Sequence, residues 1–244
     1  MLTSVVSRLA TTLTYPLRPS DFLAVVDPRH SSRQVRGVVT GVHRLADDVA
    51  TVRFRPGRGW RTPRAGQWVR VGVEIDGVRR WRPFSLSSGE GEEPAVTVGA
   101  VGLVSGALVR DTRPGDLLFL DQPQGDFLLP PTPGPVLLIG AGTGLTPLRS
   151  MLRTLLARDP AADVTLLQLA RSRADALFAD ELDALAARHP GLRLVRHLSG
   201  AAGRLDLATP GVLAALVPDW RARASYVCGP EGLVADAERL WAGA

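Results

Sequence analysis

From Arg36 to about Pro130 apolar and polar positions alternate over short runs: "RGVVTGVHRL", "VATVRFRP", "WVRVGVEI", "AVTVGAV" and "DLLFLDQ". A period of two residues turns one face of each run inward and the other to water, as in β-strands. Glycine, proline and aspartate punctuate the runs, among them Asp76-Gly77, a dipeptide suited to a tight hairpin. Short strands at regular spacing predict an antiparallel β-barrel, with one brief helix in "SGALVRD". Beyond the proline-rich stretch 130–135 the pattern changes. "VLLIGA" is a continuous apolar run, expected of a strand covered on both faces, and "LTPLRSMLRTLLARD" has helical spacing. "DVTLLQLA" with "ADALFADELDALAARH" repeats the unit, and "LRLVRHL", "ASYVCG" and "PEGLVADAERLW" complete it. Such alternation predicts an α/β doubly wound parallel sheet. The expected organisation is an arm over 1–35, a barrel over 36–132 and an α/β domain over 133–244, with a cleft between the two domains.

In the arm, "SVVSRLATTL" spaces Val5, Val6, Leu9 and Leu13 along one helical face. That face suits packing on the protein itself or lying on a membrane surface. "YPLRPSDF" then ends the helix.

Composition narrows the picture. At 244 residues and 45% hydrophobic content the chain can bury a real core. Its net charge of +5 comes from arginine alone, since it has no lysine, and much of that arginine falls between Arg53 and Arg82. A local basic patch suits an acidic protein or a phosphorylated ligand. No recognition motif points to nucleic acid. Cys228 is the only cysteine, which excludes an internal disulfide, a cysteine zinc site and an iron–sulfur cluster within this sequence. A reducing cytoplasm is the expected location, with the arm allowing attachment to the inner face of a membrane. No run approaches the roughly 18 apolar residues of a membrane span.

Three stretches could carry chemistry in the second half. "GAGTGLTP", 140–147, lies between a strand and a helix, where glycines let backbone amides approach a pyrophosphate at a helix N-terminus. It is not a G-x-G-x-x-G fingerprint, and a glycine turn needed only for tight packing is the competing account. The next strand ends at Arg171, Ser172 and Arg173, where a dehydrogenase reading the NAD ribose would carry an acid. Two guanidiniums and a hydroxyl suit a 2′-phosphate and so NADPH over NADH, unless the segment is only a solvated helix start. Cys228, Gly229 and Pro230 sit at a strand's C-terminal end, where open α/β sheets bind ligands, although a lone cysteine is more often core.

In the first half, Arg82 and Phe84 share a face of a simple strand, and Ser85 faces the other way unless the strand ends or bulges there. Arginine clamps pyrophosphate, phenylalanine offers a flat face to an aromatic ring, and serine hydrogen-bonds a ring nitrogen. Gly102 and Ser105 open the brief helix and form another anion seat. An ordinary strand and helix cap would look the same.

The order of these motifs is more specific than any one of them. R-x-F-S, then G-x-x-S before a short helix, then G-x-G-T-G-x-T-P, then C-G-P resembles the ferredoxin–NADP reductase superfamily from about Arg36 to Trp241. "GQWVRV" and "FADEL" look like further landmarks. The arm, "PLRPSDFLAVVDP" and "RPGRGW" are similar to a narrower group, actinobacterial ferredoxin reductases that feed electrons to membrane fatty-acid desaturases. The resemblance implies that Arg82 binds the flavin pyrophosphate, that Phe84 replaces a usual tyrosine against the isoalloxazine, and that Ser85 reaches the reactive flavin nitrogen. It implies that Val98, Gly102, Val104 and Ser105 hold the rest of the flavin, and that Gly142, Thr143 and Thr146 meet the NADP pyrophosphate. Cys228, with Gly229 and Pro230, would stand beside the nicotinamide, so that Ser85 and Cys228 are the catalytic candidates.

The sequence departs from the family at several points. Phe84 lacks a phenol, the loop after "TVGAV" is short, and Gly99 stands where a basic residue is common, which bears on FAD against FMN. The resemblance also implies a further strand after "AERLWAGA" and, in the narrower group, an iron–sulfur domain. The implied function is a flavin-dependent NADPH oxidoreductase that uses FAD and passes electrons to a ferredoxin-type acceptor, with a membrane desaturase or a monooxygenase downstream. A free flavin reductase, an oxygenase reductase component and a non-catalytic flavoprotein subunit are the alternatives.

Overall fold

The computed structural model describes residues 34–131 and 134–243. The predicted helix of the arm lies outside the described residues. Two compact units divide the chain, but not at one point in the sequence. Of the described residues, the first takes those up to Thr62, then Val69–Phe84 and Glu93–Gln124. The second takes Pro63–Trp68, Ser85–Glu92 and the chain from Gly125 onward. The proline-rich stretch therefore does not by itself separate them.

The first unit is a six-stranded antiparallel sheet with β1 (Val35–Ala46), β2 (Val49–Pro56), β3 (Trp68–Ile75), β4 (Val78–Ser85), β5 (Ala95–Gly99) and β6 (Leu117–Leu120). Its order is β4-β3-β6-β1-β2-β5, so β4 and β5 end the described sheet. The long β1 pairs with β2 along its length and with β6 through Val35–Val38. Register shifts between Val39 and Gly41 and between Arg44 and Ala46 bend it. The alternation read from sequence becomes burial: Val52 and Phe54 on β2, Val69 and Val71 on β3, and Leu118 and Leu120 on β6 are each at most 1% exposed. Helix α1 (Leu103–Arg110) adds Leu108 and Val109 to this core.

The second unit holds a four-stranded parallel sheet of β7 (Val136–Ala141), β8 (Val164–Ala170), β9 (Leu192–Leu198) and β10 (Ala224–Cys228), in the order β10-β7-β8-β9. Its helices are α2 (Leu145–Arg158), α3 (Ala179–Arg188), α4 (Ser199–Ala202), α5 (Val212–Leu216) and α6 (Glu231–Ala242). The apolar run of β7 is buried because the strand is central and covered on both faces. On one face Leu137 and Ile139 pack in a cluster with Leu213, Trp220 and Leu233. The chain steps from β7 to β8 and β9 on one side and returns to β10 on the other. That reversal makes a switch point at the C-terminal ends of β7 and β10, the place where open α/β sheets receive ligands.

One further piece belongs to this unit. Ser85–Glu92 leaves β4 and runs along α2. Leu86 donates its amide to the Gln67 carbonyl at 2.9 Å, the Ser150 hydroxyl donates to the Ser88 carbonyl, and the Glu90 amide donates to Thr154 Oγ1 at 2.9 Å. Arg153 forks onto the Glu92 carboxylate, and Arg158 pairs with Glu90. Side chains at 150, 153, 154 and 158 share one helical face, which is why a single segment can engage them all.

The "GQW" landmark acquires a physical reason here. Gly66 has φ +93, and a Cβ there would lie 1.9 Å from the Phe127 carbonyl oxygen and 2.6 Å from Met151 Cε. Gly115 has φ +99 but open space around it. Gly66→Ala should therefore cost about 3 kcal/mol, from strain and clash together, whereas Gly115→Ala should cost about 1 kcal/mol, from strain alone. Urea denaturation of both variants checks the contrast.

Candidate functional site

The nucleotide side starts at the switch point. Gly142 has φ +53 with nothing within 4 Å of a modest side chain's first carbon, so the loop is open just where backbone must approach a ligand. Gly144 is the opposite case. A Cβ on it would stand 2.5 Å from the Cys228 carbonyl oxygen and 2.5 Å from Gly229 Cα. The glycine loop after β7 and the C-G-P segment after β10 are thus in direct backbone contact, as the pairing of Cys228 with Gly140 across the strands requires. Gly229 in turn has Leu233 and Ala141 where its own side chain would be. Pro230, with φ −55, then leads into α6. Thr143 is exposed beside Gly142, whereas Thr146 is buried and donates its hydroxyl to the Thr143 carbonyl at 2.8 Å. As placed, Thr146 shapes the loop and Thr143 faces outward from it.

A cavity of about 260 Å³ lies beside this loop at the C-terminal ends of β7, β8 and β9. Gly142 and Arg171 line it together with Asp175, His197 and Ser199. Among the described residues no carboxylate pairs with the Arg171 guanidinium. The other two residues of the arginine–serine–arginine group are engaged. The Ser172 hydroxyl donates to Asp175 Oδ2 at 2.6 Å, and Arg173 pairs with Asp180 at 2.7 Å and Asp183 at 2.5 Å on α3. Asp183 also receives Arg196 at 3.0 Å. Burial opposes its charge, but the hydrogen bonds from Arg173 and Arg196 win and hold its carboxyl below the usual range. Of the three sequence candidates, Arg171 is the one that lines the cavity and has no acidic partner among the described residues. Asp175, His197 and Ser199 were not singled out from the sequence. The signal for two of them was present, since His197 and Ser199 fall at the end of a predicted strand.

The flavin-type residues lie on β4, on β5 and at the start of α1, all but Ser85 in the first unit. Arg82 is exposed on β4, with Nη1 donating to the Trp81 carbonyl at 2.9 Å, and Phe84 is half-buried. Ser85 is the last residue of β4 and is half-buried, so the strand end that would let it turn is present. At α1 the Gly102 backbone is extended, and a Cβ on it would meet nothing nearer than Ser105 Oγ at 4.0 Å. The Gly102 amide donates to Ser105 Oγ at 3.1 Å, which leaves Ser105 buried and locally bonded. Val104, in the first turn of the helix, is buried, while Val101 and Leu103 on either side of Gly102 are 97% and 70% exposed. No acidic residue occupies the first turn. An open glycine, uncancelled helix amides, exposed apolar neighbours and the Arg82 and Phe84 pair fit an anionic aromatic cofactor. Val98 is placed differently. It is 2% exposed, and the bonds of Phe54 to Pro94 and of Ala100 to Asp48 put its backbone in the set facing β2. It supports the strand and presents neither side chain nor backbone at the free edge.

Residues 138–239 match the family described as the oxidoreductase NAD-binding domain. An NADPH oxidoreductase of Mycobacterium tuberculosis is 42% identical over 246 residues, covering 97% of this chain and 64% of that protein. The reductase subunit of an aromatic O-demethylase from Amycolatopsis is 32% identical, covering 90% of this chain and 69% of the relative. The chain belongs to the ferredoxin–NADP reductase family of oxidoreductases. A ferredoxin NADP+ reductase from Neisseria gonorrhoeae, solved with bound FAD and NADP, superposes with a TM-score of 0.72 over 87% of this chain and 92% of that one. At 19% identity that likeness speaks for the fold, an antiparallel sheet followed by a parallel α/β sheet. The chain spans less than two-thirds of the length of the Mycobacterium protein. Among the described residues no helix is long and apolar enough to cross a membrane.

Cys228 is half-buried, and burial pushes its thiol above the ordinary cysteine range. With less thiolate at neutral pH, its alkylation by iodoacetamide should run several-fold slower at pH 7.5 than that of an unfolded control and accelerate only in alkaline buffer. Mass spectrometry of timed samples measures this.

Proposed function

We propose that the protein is a flavin-dependent NADPH oxidoreductase that takes reducing equivalents from NADPH through FAD to a ferredoxin-type iron–sulfur acceptor. The observation that carries this is the contact of Gly144 with Cys228 and Gly229, which holds an open glycine loop and the C-G-P segment together at the switch point. The glycine loop, through Gly142 and Thr143, would hold the dinucleotide pyrophosphate. Arg171, at the cavity beside it, would take the 2′-phosphate, and Cys228 with Gly229 and Pro230 would border the nicotinamide. Arg82 would clamp the flavin pyrophosphate, Phe84 would cover the ring, Gly102 with the α1 amides would seat the phosphates, and Ser85 would hold a hydrogen bond to the ring nitrogen. Bound flavin supplies the conversion between hydride transfer and single-electron transfer. The protein's share is orientation and electrostatics. FAD is favoured over FMN by the FAD of the gonococcal reductase, and NADPH by the activity named for the Mycobacterium relative.

The acceptor is read from charge. Arg79 and Arg80 are both exposed on β4, and Arg79 lies 3.4 Å over the Phe119 ring. A cationic edge suits an acidic electron carrier, which would serve a membrane desaturase or a monooxygenase downstream. The Amycolatopsis relative, a demethylase reductase subunit, favours a second reading in which the same machinery is an oxygenase reductase component.

Anaerobic mixing decides the function. Protein loaded with FAD should lose its visible flavin absorbance within seconds of meeting NADPH, and more slowly with NADH. Material that stays colourless when offered FAD, or that keeps its colour with both nucleotides, sinks the proposal.

The paired state of Arg173 sharpens the nucleotide choice. Arg171→Ala should raise KM for NADPH on the order of 10-fold, with little change for NADH, because a charge-assisted contact is lost. Arg173→Ala, whose guanidinium is held by Asp180 and Asp183, should change the two KM values alike. Steady-state kinetics with both nucleotides checks the pair.

A further inference from the structure

Ser85 is followed at once by the segment that lies along α2, and the first side chain to grip that segment from the helix is Arg149. Its Nη1 donates to the Ser87 carbonyl at 2.5 Å. Nε and Nη2 both donate to Glu181 Oε2, at 2.9 Å and 2.8 Å. The Phe178 ring centroid lies 4.6 Å from Cζ and covers one face of the guanidinium. The Arg149 side chain is only 14% exposed. A guanidinium is a rigid planar fork, so the two bonds to Glu181 fix its plane and thereby fix where Nη1 points. Phe178 holds an unusual backbone, φ +59, to occupy this place. Arg149 is also one turn into the helix whose start is the Gly142–Gly144 loop. One helical turn and one side chain therefore separate the nucleotide loop from the backbone two residues beyond Ser85. All of these residues lie in the second unit.

We propose that Arg149 is a positioning residue that, braced by Glu181, holds the Ser87 carbonyl and so sets the place of Ser85 relative to the nucleotide loop. This rests on the function proposed above, in which Ser85 serves the flavin. The glycine loop and Ser85 are then parts of one braced piece, rather than two loops adjusted independently.

A cycle of variants tests it. Arg149→Gln should slow flavin reduction at saturating NADPH on the order of 10-fold, in line with the sensitivity of transfer reactions to small misplacements, and leave KM for NADPH within about threefold. Ser85→Ala should slow reduction similarly, and the double variant should be no slower than the slower single one, since both remove the same contribution. Arg149→Lys keeps a charge for Glu181 but lacks the fork, so it should hold the melting temperature near that of the parent and still lose rate. Hydrogen exchange on the flavin-free protein gives a readout independent of turnover: Arg149→Gln should raise exchange at the Leu86 and Glu90 amides. Multiplying losses in the double variant, a full reduction rate in Arg149→Gln or Arg149→Lys, or unchanged exchange at Leu86 overturns the positioning role. A chain that takes up no flavin fails the proposed function instead, and the exchange measurement then decides alone whether Arg149 holds the segment.

Discussion

A side chain of even one carbon has no room at Gly144, because the Cys228–Gly229 backbone already fills the space. That contact is the constraint from which the nucleotide side is built. It demands that β7 and β10 be parallel neighbours in the register that sets Cys228 beside Gly140, and the sheet order supplies this. It fixes the glycine loop from behind while Gly142 stays open in front. A ligand meeting this loop would therefore find backbone amides already held in place, and less ordering would be left to do on binding.

The periodicity of the chain was a good guide to this architecture, for a physical reason. Strand alternation and the continuous apolar run of β7 are direct records of how many faces each strand buries, and burial is what the structure returns at Val52, Phe54, Leu137 and Ile139. The glycine motif was legible too, but not the division of labour within it. Gly142 and Gly144 look alike in sequence, yet one is kept small by its dihedral angle and the other by a neighbour brought in from 84 residues further on.

Side-chain roles were harder to read wherever a competing partner lies on another element. Arg173 looked like a phosphate ligand because Asp180 and Asp183 come later, on α3, and only folding lays them against it. The resemblance implies cofactor contacts for Ser105 and Thr146, and in the fold both hydroxyls donate to backbone carbonyls within their own turns. Val98 could be assessed only once the register of β5 on β2 was known. An all-arginine composition deepens the ambiguity. The same planar fork that suits a phosphate also suits a carboxylate, and Arg149, Arg153, Arg196 and Arg223 are all committed to carboxylates here.

The second unit is assembled from three separate stretches of chain, and this bears on how such modules can be traded between proteins. Pro63–Trp68 and Ser85–Glu92 are encoded among the strands of the first unit, yet Ser85–Glu92 lines the polar face of α2, and Gly66 packs directly against Phe127 and Met151. A recombination at the proline-rich stretch would part α2 from the carbonyls, amide and carboxylates that match its serine, threonine and arginines. Shuffling within this lineage should therefore favour transfer of both halves as one inheritance, with novelty appended outside them.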